Sequence, residues 1–142
     1  MKQQNYSNHG RMVFGFHGIL FFAILALLIG SVRNLLKASE ENLYAASLLV
    51  LISFIFLLFM YFVRAFALKA QDRAIKAEEV FRYYLLTGKA INSKLTMRQI
   101  IGLRFAPDEE FVALAERAVK QNLSEKDIKK AIKNWKADTY RV

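Results

Sequence analysis

Residues Met12–Val32, MVFGFHGILFFAILALLIGSV, contain no Asp, Glu, Lys or Arg. A helix of these 21 residues is about 31 Å long, and the hydrocarbon core of a bilayer is about 30 Å thick. This run therefore predicts a first membrane-spanning helix. The alternative is a cleaved signal peptide, but its apolar region usually has about 7–15 residues and ends at a small-residue cleavage site. The stretch Leu28-Ile29-Gly30-Ser31 matches such a site poorly.

A second uncharged run follows at Leu43–Val63, after a short polar spacer, Arg33–Asn42. Backbone polar groups in lipid must be satisfied within each helix, so the two runs predict a helical hairpin with spans at 12–32 and 43–63. Two buried helices of a soluble protein are the alternative. No remaining segment could cover two helices that are apolar all round. We therefore divide the chain into residues 1–63, flank and hairpin, and residues 64–142, a tail.

The composition argues against several kinds of chemistry. The chain has 142 residues, 55% of them hydrophobic, and carries no Cys, which excludes disulfides, a thiol nucleophile and Cys-ligated metal sites. Only two His leave little room for a His-built metal site or a catalytic triad. The sequence contains no Gly-rich phosphate loop and no nucleophile motif. We therefore predict that the chain is not an enzyme and that it binds no cofactor, with one exception considered below.

The basic residues predict the orientation. Residues 1–12 carry two basic residues and no acid, the spacer is balanced, and residues 64–142 carry 17 Lys and Arg against 10 Asp and Glu. Lys and Arg near the ends of spans favour the cytoplasmic side. Both termini are therefore predicted to be cytoplasmic.

The tail is predicted to be helical throughout. Residues Arg64–Thr87 contain no Pro or Gly, so the second span is expected to continue as a stalk that stops at Gly88. Acid-first pairs, Asp72/Lys76 and Glu78/Arg82, would support this helix. Three short helices are predicted at about 96–105, 108–121 and 125–138. Thr96 and Gln99 would form a capping box at the start of the first, and Asn122 marks the end of the second. Fifty residues form only a marginal core, so we expect these helices to pack on the stalk or on a partner. The fold class is thus all-α.

Several segments along the chain form a distinctive combination. They are Tyr6–His9, Phe16-His17, Gln71–Ile75, Leu95-Thr96, Gln99–Ile101, Leu103–Ala106, Asp108–Phe111 and Ile128–Trp135, with Asp138 and Arg141-Val142 near the end. Together they resemble a family of small bacterial inner-membrane proteins with two predicted spans, a helical tail and no known function. The resemblance covers nearly the whole chain. It implies a place in a bacterial cytoplasmic membrane and supplies no catalytic residues.

Two features of the first span are candidate sites. His17 lies within it, and an ionisable residue in lipid suggests a function. In a dimer, two copies of His17 could ligate a haem, or His17 could contact a quinone, with His9 as a further ligand or a headgroup contact. The alternative is a neutral His17 hydrogen-bonded to a neighbouring helix. Small residues could also form a packing seam for the second span or a partner, unless they only reflect ordinary membrane-helix composition. They are Gly15, Gly18, Ala23, Ala26 and Gly30.

In the tail, Phe105, Phe111 and Trp135 are predicted to anchor its fold or its docking face. The last predicted helix carries a set of lysines that could contact anionic headgroups or an acidic protein, or simply be solvated. They are Lys126, Lys129, Lys130, Lys133 and Lys136. Nucleic acid, whose phosphates bind basic residues, is the less favoured partner. Acids at Asp108–Glu110 fit a helix N-terminus better than a metal site.

These features predict a non-enzymatic accessory or scaffolding subunit. Its partners would be the lipid bilayer and a larger membrane complex or further copies of itself. A membrane-tethered nucleic-acid-binding protein is one alternative, and a small redox subunit using His17 is another.

Overall fold

The computed structural model describes residues 4–10 and 12–138, and all regular elements in this part of the chain are helical. A π-helical turn, Gly15–Leu20, leads into α1, Phe21–Leu36, and a 3-10 turn, Glu40–Asn42, leads into α2, Leu43–Thr87. Three shorter helices follow: α3, Met97–Leu103; α4, Asp108–Lys120; and α5, Glu125–Ala131. The all-α prediction is confirmed, and so is the continuation of the second apolar run into a single helix that ends before Gly88.

Two helical stretches are long and apolar enough to cross a membrane, namely Gly15–Leu36 and Glu40–Thr87. In each, only 11% of the most apolar window is buried within the chain. The core helix of a soluble protein would be mostly buried. The first stretch extends four residues beyond the predicted Val32, so that Arg33 lies in the last turn of α1.

The described residues divide into two compact units, which we call the hairpin unit, residues 12–67, and the helical unit, residues 4–10 with 68–138. In the hairpin unit, the hydroxyls of Ser31 on α1 and Ser53 on α2 lie 3.1 Å apart and are buried. Ile24 and Ala46, each seven residues from one of these serines, are also buried. Because seven residues are close to two helical turns, these four residues mark the contact between the helices.

We expect Ser53→Ala to weaken the hairpin unit by about 0.5–1 kcal/mol, because interhelical hydrogen bonds in apolar surroundings are worth roughly that much. Thermal unfolding of the full chain in mild detergent measures the effect. Ser47→Ala is the matched control, since its exposed hydroxyl bonds only the Tyr44 carbonyl of its own helix. Equal effects of the two substitutions would contradict a role for Ser53 in joining α1 and α2.

In the helical unit, the three short helices pack on the distal part of α2, as one of the two predicted alternatives had it. Ile75 of α2 lies in the same buried cluster as Ile100, Leu103, Phe111 and Ile128. Gly102 lies where α3 and α5 meet, and a Cβ at this position would be 3.1 Å from the Cγ2 atom of Ile128. Only glycine permits this close approach without movement of its neighbours.

The predicted helix signals of the tail are confirmed. Thr96 and Gln99 form the capping box of α3. The Gln99 amide also donates to the Leu123 carbonyl at 2.9 Å, which ties this cap to the turn after α4. Gly88 ends α2 with φ +68°, and Asn122 follows α4 with φ 48°. Both lie in the left-handed region that glycine and asparagine tolerate.

The predicted length of the last helix is wrong: α5 ends at Ala131 instead of 138. The cause is the Glu110 carboxylate, which accepts hydrogen bonds from the backbone N–H groups of Lys133 and Asn134, both at 3.0 Å. These bonds lower the pKa of Glu110, chiefly through Lys133. The contact therefore stabilises the folded unit above the ordinary carboxyl pKa and is lost as the pH falls through the lowered value. Beyond Ile132, the backbone is no longer helical, and the Lys136 N–H donates to the Phe105 carbonyl at 2.8 Å.

Candidate binding cleft of the helical unit

An open cleft of about 770 Å³ lies in the helical unit. Tyr6 and His9 line it on one side, and residues of α3, of the turn after α4 and of α5 line the rest. Charged side chains at the cleft are Arg98, Glu125, Lys126 and Lys129. The cleft thus combines an aromatic wall with a mainly basic lining.

Sequence reasoning placed residues 1–12 only as a flank of the first span, whereas residues 4–10 belong to the helical unit. The side chain of Gln4 accepts from the Asp138 N–H at 2.8 Å and donates to the Asp138 carbonyl at 3.4 Å. The Gln4 amide thus makes one donated and one accepted hydrogen bond with the Asp138 backbone, as the backbone of a neighbouring strand would. The N-terminal segment is therefore held against the segment that follows α5.

His9 is the centre of this contact. Its Nδ1 atom lies 2.7 Å from the Tyr6 carbonyl, and its Nε2 atom lies 3.3 Å from Nζ of Lys129. The neutral ring with its proton on Nδ1 satisfies both, because it donates to the carbonyl and accepts from the ammonium group. The ring centroid is 5.7 Å from those of Phe105 and Trp135. Both nitrogens are thus engaged, which argues against the suggested role of His9 as a haem ligand.

The predicted basic face is only partly a surface. Lys129 is 9% exposed, and its ammonium group lies 2.6 Å from the Glu125 carboxylate and 5.3 Å from the Phe105 ring centroid. The other four predicted lysines are exposed, but two of them follow α5 instead of lying on it; the four are Lys126, Lys130, Lys133 and Lys136. Lys129 is therefore an internal partner of Glu125 and His9, and it is not available to headgroups.

The predicted aromatic anchors are packed within the helical unit. Phe105 and Phe111 are completely buried, so neither can be part of an exposed docking face. Trp135 is half-buried and packs against Phe105, with ring centroids 4.8 Å apart and ring planes tilted by 33°. Of the two predicted roles, the structure supports an anchor of the fold for Phe105 and Phe111.

Arg82 joins α2 to the segment before α4. Its guanidinium contacts the Glu79 carboxylate at 3.0 Å, the Asp108 carboxylate at 2.6 Å and the Ala106 carbonyl at 2.7 Å. The same group lies 4.3 Å from the Phe111 ring centroid. Burial raises the pKa of Glu79, and the charge of Arg82 opposes that shift. The predicted Glu78/Arg82 pair is therefore replaced by a pair one residue away, because Glu79 faces the core.

Comparison with known proteins shows the family of the chain. All of residues 1–142 match the model of a family described as "Family of unknown function (DUF6526)". The chain belongs to this family. No curated protein and no solved structure matches it. The resemblance to an uncharacterised family is thus confirmed, and membership in DUF6526 assigns no role to any residue.

The candidate residues of the first apolar helix belong to the hairpin unit and do not line the cleft just described. In this DUF6526 chain, His17 is half-buried in the π-helical turn, with Nδ1 3.1 Å from both backbone N and O of Val13. Contact with haem or quinone stays a prediction. Among the described residues, no three His, Asp or Glu side chains form a group that could hold a metal ion.

The predicted small-residue seam is not the contact between α1 and α2. Ala23 and Ala26 are exposed, and a Cβ at Gly15 or Gly30 would meet no atom within 4 Å. A Cβ added at Gly18 would lie 3.3 Å from the Phe14 ring of the same helical stretch. The helices meet at Ser31 and Ser53 because these hydroxyls find a polar partner there. Contact of the small residues with another protein stays a prediction.

We expect Arg82→Met to destabilise the helical unit by about 3 kcal/mol, because it leaves Glu79 charged and buried without its partner. Glu79→Gln should cost less than about 1 kcal/mol, since a neutral amide avoids the desolvation of a carboxylate and still accepts from Arg82. Thermal unfolding followed by circular dichroism gives both values. Equal losses would show that the contacts of Arg82 with Asp108 and the Ala106 carbonyl are not what joins α2 to the segment before α4.

We also expect His9→Ala to shift the emission of Trp135, the only Trp of the chain, to longer wavelength. The His9 ring lies beside Trp135, and its loss would admit water to the indole. The matched control is His17→Ala, which removes the only other His and should leave the emission unchanged. Unchanged emission in His9→Ala would contradict the packing of the N-terminal segment on the aromatic pair.

Proposed function

We propose that this chain is a non-enzymatic accessory or scaffolding subunit of a bacterial inner-membrane complex, with both termini in the cytoplasm. Its helical unit would bind an acidic segment of a protein partner. The observation that carries the proposal is the open cleft of about 770 Å³, whose lining is mainly basic. Binding, and not chemistry, would be the mechanism.

The membrane placement is supported by the two long apolar helices and their exposed side chains. The excess of Lys and Arg outside the short connection between them favours cytoplasmic termini. The faces of α1 that carry Ala23, Ala26 and Gly30 are free of contact with α2 and could meet helices of a larger membrane protein.

The charges at the cleft favour an acidic partner. The Arg98 side chain is 78% exposed and 3.5 Å from Glu125, while Lys129 already neutralises that carboxylate at 2.6 Å. Lys126 is exposed at the same cleft. Arg98 and Lys126 thus keep an excess of positive charge at the cleft. Complementary charge steers association and selects among partners.

The test is co-purification of the tagged full chain from cells at its native expression level, in mild detergent, followed by mass spectrometry. We expect a larger membrane protein in stoichiometric amount. The double reversal Arg98→Glu/Lys126→Glu should lower its recovery about tenfold, which corresponds to about 1.4 kcal/mol of binding free energy. The matched control is Lys89→Glu/Lys120→Glu, which changes the net charge equally at a different cleft.

Two results would contradict the proposal in different ways. If no other protein accompanied the chain in stoichiometric amount, the accessory role would be wrong. If a partner were recovered equally well with both double variants, the accessory role would stand, but the cleft would not be the place where that partner binds.

A further inference from the structure

We propose that a second copy of this chain packs along an exposed face of α2, so that the two α2 helices form a short parallel coiled coil. We call this face the α2 seam. It consists of Ala70, Ala74, Ala77, Phe81 and Tyr84. The inference goes beyond the accessory role and does not depend on the partner proposed there. It requires only that two copies enter a membrane in the same sense, since their α2 helices then run parallel.

The spacing of the seam is that of a coiled coil. Successive seam residues are 4, 3, 4 and 3 positions apart. This alternation is the heptad pattern, with Ala74 and Phe81 at position a, and Ala70, Ala77 and Tyr84 at position d. The alanines allow two helix backbones to approach closely, and the two aromatic residues supply the larger apolar contact.

Apart from Ala74, which borders a cleft shared with Ile75 and Glu79, the seam lies away from the core of the helical unit. All five seam residues are exposed, with Phe81 at 62% and Tyr84 at 55%. In contrast, Ile75 and Glu79, at positions b and f on the other side of α2, are buried against the short helices. The packing of the helical unit therefore leaves the seam open, although a solvated helix face would normally be polar.

The charges beside the seam identify the occupant. Arg73 occupies position g and Glu78 position e of the following heptad. In a parallel dimer, a g residue faces the e residue five positions further on the partner helix, so two symmetric Arg73–Glu78 pairs form. An antiparallel dimer would instead place g beside g and e beside e, so that Arg73 could not pair with Glu78 of the other copy.

Both side chains are available for such pairs. Arg73 and Glu78 are exposed, and neither takes part in an ion pair within the described part of the chain. Further along α2, Val80 at g and Leu85 at e give the same flanks an apolar contact, and Leu85 is 66% exposed. A second copy in parallel register would thus form both the charged pairs and the apolar contacts beside the seam.

The absence of native Cys permits a direct test by disulfide cross-linking. Two differently tagged copies, each carrying the same single substitution, are co-expressed and oxidised with copper phenanthroline in the isolated membrane fraction. Ala70→Cys and Ala77→Cys probe the seam. Lys69→Cys and Lys76→Cys are the matched controls, because each is the exposed preceding neighbour on the same helix.

We expect about tenfold more mixed-tag dimer at positions 70 and 77 than at 69 and 76, because a disulfide requires Cα atoms within about 7 Å. Equal yields at all four positions would overturn the seam. A dimer at only one of the two seam positions would overturn the parallel arrangement, since an antiparallel pair brings only the residue at its two-fold axis close to its own copy.

The charge pairs give a second, independent readout. In the Ala77→Cys background, Arg73→Glu should lower the dimer yield several-fold, and adding Glu78→Arg in the same chain should restore it. Because both side chains are exposed, these substitutions leave the core of the helical unit intact. A yield that did not respond to Arg73→Glu, or that the double reversal did not restore, would contradict the register proposed here.

Discussion

The helical unit depends on the contacts that the guanidinium group of Arg82 makes. It holds a carboxylate of its own helix, a carboxylate at the start of α4 and the Ala106 carbonyl, and it covers the Phe111 ring. Three short helices cannot form a sufficient core by themselves, because a domain of about 50 residues buries too little apolar surface. The distal part of α2 supplies the missing surface, and Arg82 fixes how the start of α4 meets it.

The N-terminal segment, from the other end of the chain, also adds contacts to the core of the helical unit. The completely buried Phe105 has His9 on one of its sides and Trp135 on another, and the ammonium group of Lys129 lies above its ring. Lys129 can be this deeply buried because Glu125 neutralises it and His9 accepts one of its hydrogen bonds. A buried charge needs such partners. The same contacts shape one wall of the cleft, so the fold and the proposed site share these residues.

The sequence patterns correctly predicted the elements that depend only on residues close in the chain. The two uncharged runs, the capping box at Thr96 and the stop at Gly88 depend on residues close in the chain, and all are present in the structure. The end of α5 depends on Glu110, more than twenty positions earlier, whose carboxylate competes for the backbone of Lys133 and Asn134. Helical periodicity continues past Ala131, so no local signal could have shown this end.

The candidate site was harder to predict for the same reason. The lysines of α5 look equivalent in the sequence, yet Lys129 is buried because of contacts with residues 120 positions away, whereas Lys126 and Lys130 stay exposed. Likewise, the two faces of the distal part of α2 have different requirements. The face that carries Ile75, Glu79 and Arg82 is occupied by the short helices, whereas the opposite face keeps Phe81 and Tyr84 in contact with solvent. Burial of those two rings against the proposed second copy would remove apolar surface from water without disturbing the packed face.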